Sequence, residues 1–270
     1  MERRKYIFTD LDGTLLNDEK KVCKDNIDAI EEALLKGHKV TVATGRPLPA
    51  AIIGAKRAGL YRDGCYIMCY NGGMIYDCTK EKVIYEANLE IEDIEALFKS
   101  ADEAGIHVQA YDDGKVICEK EDEELFFYCK NGQMEYEIRH NIPKTLSKPS
   151  LKVLLISFDN KKLTDFRASH PEFENERMHS IFSCLEYLEY MPSYVSKGDG
   201  IIRMSELLGF DIKDSIGIGD ERNDLSMIEK AGLGVAVRNA VDEAKSIADY
   251  ITEKDNNEGG VAEVIRKFVL

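Results

Sequence analysis

Short apolar runs that break off at a polar residue, each followed by an amphipathic helix, set the strongest limit on what this chain can become. Residues 6–9 read Tyr6-Ile7-Phe8-Thr9 and stop at Asp10; residues 40–43 stop at Thr44, residues 66–70 at Asn71, and residues 216–218 run through Gly219 to Asp220. Between and beyond them apolar residues recur at helical spacing: Ile27, Ile30 and Leu34 before Gly37, Ile52 and Ile53 with Lys56 before Gly59, and Ile201, Met204 and Leu208 before Gly209. Leu225 and Ile228 mark another helix that stops at Gly232, residues 234–237 another strand, and Val241, Ala244 and Ile247, then Val261, Ile265 and Phe268, the last helices. Strands alternating with helices in this way predict a parallel sheet covered on both faces. Ligands of such sheets bind beyond the carboxyl ends of the strands, so Asp10, Thr44 and Asn71 are predicted to converge.

The rhythm changes over residues 83–190. Ile91, Ile94, Phe98 and Ala101 predict a helix closed by Gly105, then strands at 106–111 and 115–118 joined by the hairpin signal Asp112-Asp113-Gly114. Further strands are expected at 152–158, around Ile181 and at 185–190, and the acidic run 119–124 reads as a solvated helix face or first turn. The expected organisation is therefore a Rossmann-like α/β core built from residues 1–82 and 191–270, interrupted by an α+β domain at 83–190. A length of 270 residues suits two domains.

A net charge of −14 and a pI near 4.9 argue against nucleic acid and anionic membranes as partners, since both are bound through Lys and Arg patches. A small anion could still bind where a metal and a lysine offset the acidity. The basic start Met1-Glu2-Arg3-Arg4-Lys5 leads into no signal-peptide core, and no run approaches a membrane span, so cytoplasm is the expected location. Seven cysteines without a C-x-x-C pair fit reduced thiols, with Cys65 and Cys69 as core residues rather than metal ligands. The five histidines are scattered, which disfavours a zinc site. Oligomeric state is not legible.

Chemistry concentrates in Asp10-Leu11-Asp12-Gly13-Thr14-Leu15. Two carboxylates at the mouth of a buried strand can bind a divalent cation and attack an electrophile once other groups complete the site. Candidates for completion are Thr44 in Ala43-Thr44-Gly45-Arg46, Lys197 in Val195-Ser196-Lys197-Gly198, and the acidic stretch Gly219-Asp220-Glu221-Arg222-Asn223-Asp224. Each also has a plainer reading. The first Asp pair could be a turn; as a calcium loop it fails, because Lys21 stands where Glu is needed. Thr44 could cap a helix with Pro47 in its first turn, Lys197 could be a surface charge, and Asp220 and Asp224 could be acids at a helix start. Asn71-Gly72-Gly73 is first a turn signal, and Gly217-x-Gly219 lacks the third glycine of a dinucleotide fingerprint, with Arg222 in its place.

These motifs in this order, with Gly234-Val235-Ala236-Val237-Arg238-Asn239-Ala240 and Glu258-Gly259-Gly260-Val261-Ala262 after them, make the chain resemble the haloacid dehalogenase superfamily, specifically its Cof-type phosphatases with a type IIB cap. The resemblance covers both ends; the middle matches in size and character. It implies a Mg²⁺-dependent phosphatase of small phosphorylated metabolites, such as sugar phosphates, working through an aspartyl phosphate. By the same resemblance Asp10 is the nucleophile and Asp12 the general acid and base. The metal ligands would be Asp10, the Asp12 carbonyl and Asp220, with Asp224 acting nearby. Thr44, Lys197 and Asn223 would meet the phosphoryl group, with Gly13, Gly45, Arg46 and Asn71 lining its site. The rivals are a phosphomutase of the same cap group and a non-catalytic metal- or phosphate-binding regulator. One departure is Tyr194 in Pro192-Ser193-Tyr194-Val195, where glycine is usual, so that this loop takes another conformation or Tyr194 reaches the substrate.

Overall fold

A computed structural model describes residues 3–270; Met1 and Glu2, the first residues of the basic start, lie outside the described residues. The chain forms two compact units, one made of the chain up to Tyr85 together with Ser196–Leu270, the other of Glu86–Val195.

The first unit is built on an eight-stranded sheet whose order is Tyr250–Ile251, Leu233–Ala236, Ser215–Gly219, Tyr6–Asp10, Lys39–Ala43, Cys65–Cys69, Met74–Asp77, Lys82–Glu86. The first six run parallel, and Met74–Asp77 turns back antiparallel on Cys65–Cys69. Tyr6–Asp10 is buried at every position, so its alternating side chains serve two cores. Tyr6 and Phe8 pack with Ile201, Met204 and Met227. Register aligns the strand ends: Asp10 lies beside Ala43, and Thr9 beside Ile218.

Some helix faces differ from those expected. In helix Lys24–Leu35 the buried residues are Asn26, Ala29, Ile30 and Ala33, while Ile27 is exposed. In Leu48–Arg57 they are Ala50, Ala51, Gly54 and Ala55. Small residues let these helices lie close to their neighbours; Ile30 joins the buried face, Ile27 is exposed, and Ile52 and Ile53 are half-buried. Four strands were absent from the expected pattern: Met74–Asp77, Lys82–Glu86 and Tyr250–Ile251 of this sheet and Tyr136–Ile138 of the second unit, the last two being only two and three residues long.

The second unit has a six-stranded sheet in the order Met178–Cys184, Tyr187–Pro192, Val153–Ile156, His107–Asp112, Lys115–Cys118, Tyr136–Ile138. All pairings are antiparallel except the last. The hairpin at Asp113 and Gly114 forms as read, both residues having positive φ. Helices Ile91–Glu103 and Asn160–Ser169 cover one sheet face with Ile94, Leu97, Leu163 and Phe166. The alternate positions His107, Gln109 and Tyr111 carry a hydrogen-bonded polar row on the other face, and Lys152 meets Glu189 at 2.9 Å. Asp122 caps the helix Glu123–Gly132, which makes the acidic run a helix start. Cys65 and Cys69 are buried and in no disulfide, as expected of core thiols.

Candidate functional site

The site of the first unit is assembled from strand ends. Asp10 closes Tyr6–Asp10, Thr44 follows Lys39–Ala43, and Asp220 follows Ser215–Gly219. Lys197 is the first residue of helix Lys197–Leu208, whose N-terminus is capped by the Ser196 side chain accepting from the Asp199 N–H. Its Nζ, fully buried, donates to Asp10 Oδ1 and to Asp224 Oδ1, both at 2.5 Å. The other oxygen of Asp224 accepts the backbone N–H groups of Asp220 and Glu221 at 3.0 Å. Asp224 therefore ties the acidic turn to Lys197, and its Glu221 bond also performs the helix-start role read from sequence. Asp220 receives the Thr14 hydroxyl at 2.5 Å. Gly13 sits at φ +85°, and a Cβ there would strike the Asp220 carboxylate, so only glycine allows this approach of the two loops.

Asp12 points elsewhere. Arg46 grips its carboxylate with two bonds, Nε to Oδ2 at 2.8 Å and a terminal nitrogen to Oδ1 at 2.7 Å, and Lys20 adds a third at 2.9 Å. Arg46, read from sequence as a phosphate contact, is thus engaged with the Asp12 carboxylate. Thr44 does not cap the next helix: Pro47 holds the N-cap position, and the Thr44 hydroxyl accepts the Arg46 N–H at 3.2 Å. The Asn71 N–H donates to the Thr44 carbonyl at 3.0 Å, and the Asn223 amide donates to Asn71 Oδ1 at 3.2 Å. Asn71 is in the left-handed region at φ 54°, which Asn tolerates better than most residues, and a Cβ on Gly45 would come within 2.9 Å of its Oδ1. The named residues thus form one linked group: Asp10, Lys197, Asp224, Asp220 and Gly13 at its acidic centre, Thr44, Gly45, Asn71 and Asn223 beside it, and Asp12 with Arg46 adjoining Gly45. Thr14, Lys20 and Asn239 were given no role from sequence, although Thr14 and Asn239 stood inside quoted motifs. Tyr194, in the second unit, is exposed and its backbone is not left-handed.

Electrostatics mark the centre. Asp10, Asp220 and Asp224 each offer an oxygen within 4.8 Å of the others, the only such group of metal-ligating side chains among the described residues. Burial pushes the Asp10 carboxyl well above the usual range, with Lys197 pulling back and Asp224 and Asp220 adding to the rise. Burial also drives Asp220 up to about 7. Burial opposes the charge of Lys197, but Asp10 and Asp224 outweigh it and raise the ammonium pKa. For Asp12 burial acts upward, yet Arg46 and Lys20 prevail and hold it below the usual range. Three acids against one ammonium leave a deficit of positive charge, and hard carboxylate oxygens are the donors a small divalent cation prefers. The residues present fit such an ion.

The match of the whole chain settles the family. Residues 7–265 fit the model of the haloacid dehalogenase-like hydrolases. The chain belongs to the haloacid dehalogenase-like hydrolases. It is 32% identical over 269 residues to M6_Spy0533 of Streptococcus pyogenes serotype M6, a protein assigned as a phosphatase, with 98% of each chain covered. It is 30% identical to the 5-amino-6-(5-phospho-D-ribitylamino)uracil phosphatase YcsE of Bacillus subtilis, covering 98% of this chain and 96% of the relative. A haloacid dehalogenase-like hydrolase from Bacteroides thetaiotaomicron has the same fold at a TM-score of 0.88, with 29% identity and coverage of 98% of this chain and 99% of that one. These relatives set this haloacid dehalogenase-like chain among the phosphatases of its family, on the α/β sheet expected from sequence. No helix among the described residues is long and apolar enough to cross a membrane.

Proposed function

We propose that this chain is a Mg²⁺-dependent phosphatase that hydrolyses phosphate monoesters of small metabolites through a phosphorylated Asp10. The observation that carries the reading is the buried Asp10 carboxylate held at 2.5 Å by Lys197, with Asp220 and Asp224 beside it. In the first step an Asp10 oxygen attacks phosphorus, the bond from phosphorus to the leaving oxygen breaks, and Asp12, released from Arg46 and Lys20 and protonated from solvent as substrate binds, gives that oxygen its proton. In the second, water attacks the phosphorus, Asp12 takes the water's proton back, and the Asp10–phosphorus bond breaks to release phosphate. Lys197 neutralises and orients Asp10, while Thr44, Asn71 and Asn223 provide donors for phosphoryl oxygens. Asp10, Asp220 and the Asp12 carbonyl would hold Mg²⁺, with Asp224 supporting them from behind. When bound, the ion supplies positive charge that offsets the phosphoryl oxygens and the clustered acids.

Because relatives such as YcsE are named for a phosphorylated ribityl compound, the substrate class we infer is the phosphate ester of a primary alcohol on a sugar or sugar-alcohol chain. We read the second unit as the type IIB cap, the domain that selects among leaving alcohols. The test is a screen of purified protein with Mg²⁺ against sugar phosphates, sugar-alcohol phosphates, nucleotides and an aryl phosphate. Phosphate release that vanishes in folded Asp10→Asn supports the reading. Release that survives in that variant overturns the covalent step.

A further inference from the structure

The loop after strand Leu233–Ala236 belongs to a motif whose residues have no part in the chemistry above, yet it touches both acid-bearing loops. The Val237 N–H donates to the Gly219 carbonyl at 3.2 Å and the Val241 N–H to the Asp220 carbonyl at 2.9 Å. Between them the Asn239 side-chain amide donates to the Gly13 carbonyl at 2.7 Å. Asn239 is itself held, its Oδ1 accepting the Asn256 N–H at 3.0 Å. Asn256 is a buried asparagine whose Nδ2 donates to the Leu16 carbonyl and to Asp18 Oδ1, each at 3.1 Å. Two polar side chains from the C-terminal quarter thus grip the segment that follows Asp12 at two backbone carbonyls three residues apart, those of Gly13 and Leu16.

What they grip is held elsewhere by the Leu16 N–H donating to the Leu11 carbonyl and the Asn17 N–H to the Lys21 carbonyl, each at 2.8 Å, by Thr14 on Asp220 and by the buried Leu15 and Leu16, but none of these bonds the Gly13 carbonyl. The segment from Asp12 to Val22 contains no regular strand or helix, only isolated bridges of Leu16 with Asp12 and with Val22. It carries Lys20 to the Asp12 carboxylate. Gly13, which has the widest backbone freedom of any residue type, is the next residue after Asp12 and adopts a positive φ. A flexible residue beside an acid whose proton must reach a leaving oxygen needs an external restraint, since a misplacement near 1 Å can cost about a hundredfold in rate.

We propose that Asn239, braced by Asn256, is a positioning residue: through the Gly13 carbonyl it sets the backbone on which Asp12 delivers its proton. The inference rests on the reading of Asp12 as general acid. Its consequence is selective. Substrates with alkyl leaving groups need that proton, whereas aryl phosphates depart with less help, so loss of the restraint should tell mainly on alkyl esters.

The experiment uses full-length protein with Mg²⁺ and compares Asn239→Asp with wild type on a sugar phosphate and an aryl phosphate. Asn239→Asp keeps size and the oxygen that accepts from Asn256, but its carboxylate cannot donate to the Gly13 carbonyl. Expected is a loss of about tenfold in kcat on the sugar phosphate, under about threefold on the aryl phosphate, and little change in KM. In an Asp12→Ala background the same substitution should cost nothing further, because the residue it acts through is gone. Asn256→Ala should reproduce the pattern more weakly. Equal proportional losses on both substrates, or an undiminished penalty in the Asp12→Ala background, would overturn the positioning role while leaving the phosphatase reading intact. A wild type without Asp10-dependent hydrolysis of either substrate would overturn both together.

Discussion

Two lysines of this protein are buried against carboxylates, and they sit in contrasting company. Lys197 in the first unit bonds Asp10 and Asp224, with Asp220 in the same cluster. Lys152 in the second unit bonds Glu189 at 2.9 Å, and Ser183 donates to the other Glu189 oxygen at 2.7 Å. One centre carries more negative than positive charge; the other is a balanced pair with its oxygens satisfied on the face of a sheet. Burial and ion pairing are common to both, so neither marks a reactive site. The imbalance does, because buried acids in excess of their cations are held at a cost that a metal or an electrophile can relieve. Position agrees: the unbalanced centre lies at the carboxyl ends of parallel strands, and the balanced one lies mid-sheet, with Glu189 opposite Leu154.

The contrast breaks first, if it breaks, on the nucleophile. Asp10→Asn should lower turnover of an aryl phosphate by about 10⁴-fold or more, a typical loss when an enzyme's nucleophile is removed. Glu189→Gln, the matching change at the balanced pair, should leave turnover per folded molecule unchanged. Steady-state assays on both, with circular dichroism to confirm folding, check the prediction, and comparable losses would erase the distinction.

A smaller effect separates acids within the unbalanced centre. Both oxygens of Asp224 are already committed, one to Lys197 and one to backbone N–H groups, whereas one Asp220 oxygen accepts the Thr14 hydroxyl. Asp220→Ala should therefore raise the Mg²⁺ concentration for half-activation by about 10–100-fold, and Asp224→Ala by less, acting through geometry. Titration of activity with Mg²⁺ ranks them, and the reverse order would reassign the ligands.

The acidic centre was legible in part, because Asp10 and Asp220 stand at the ends of strands that apolar runs announce, whereas Lys197 opens a helix and Asp224 lies in a short turn. Alignment of Asp10 with Ala43 and of Thr9 with Ile218 follows from packing those runs in one parallel sheet. Side-chain direction was not legible. Arg46 looks like a phosphate ligand in Thr-Gly-Arg, but only coordinates reveal that it reaches Asp12, 34 positions away. Nor could helical spacing disclose that Asn26 is buried and Ile27 exposed: Asn26 Oδ1 accepts the Ala262 N–H at the start of the last helix, a long-range bond that outweighs local hydrophobicity. The grip of Asn239 on Gly13 escaped for the same reason, as it joins positions far apart in the chain.

Charge excess also predicts how pH and metal act on stability. Asp220 titrates near 7 in the folded protein against an ordinary value of 3.8, chiefly through burial. Between these values the folded state retains a proton that the unfolded chain has released, so this group's contribution to stability is full below 3.8 and is lost as pH rises through about 7. Mg²⁺ competes with that proton. Added at about ten times its dissociation constant, it should stabilise by about 1.4 kcal/mol, a rise of about 3–5 °C in melting temperature, at pH 8, and by less at pH 5. Thermal melts with and without Mg²⁺ at the two pH values check this; an equal or larger shift at pH 5 would contradict the imbalance.

The smallest effect is expected where the balanced pair is removed whole. Lys152→Met alone strands a buried Glu189 charge and should cost about 3–5 kcal/mol in urea unfolding, whereas Lys152→Met with Glu189→Leu leaves no charge to solvate and fills similar volume. The double variant should unfold within about 1 kcal/mol of wild type and retain aryl phosphate turnover. No such rescue exists for the first centre: replacing Lys197 and Asp10 together by apolar residues still leaves Asp220 and Asp224 facing each other without their cation, and removes the proposed nucleophile. If the double variant at 152 and 189 were as unstable as the single one, the second pair would contribute more than mutual neutralisation. If it folded well but lost aryl phosphate turnover, the charge balance of a buried pair would no longer separate a structural centre from a chemical one.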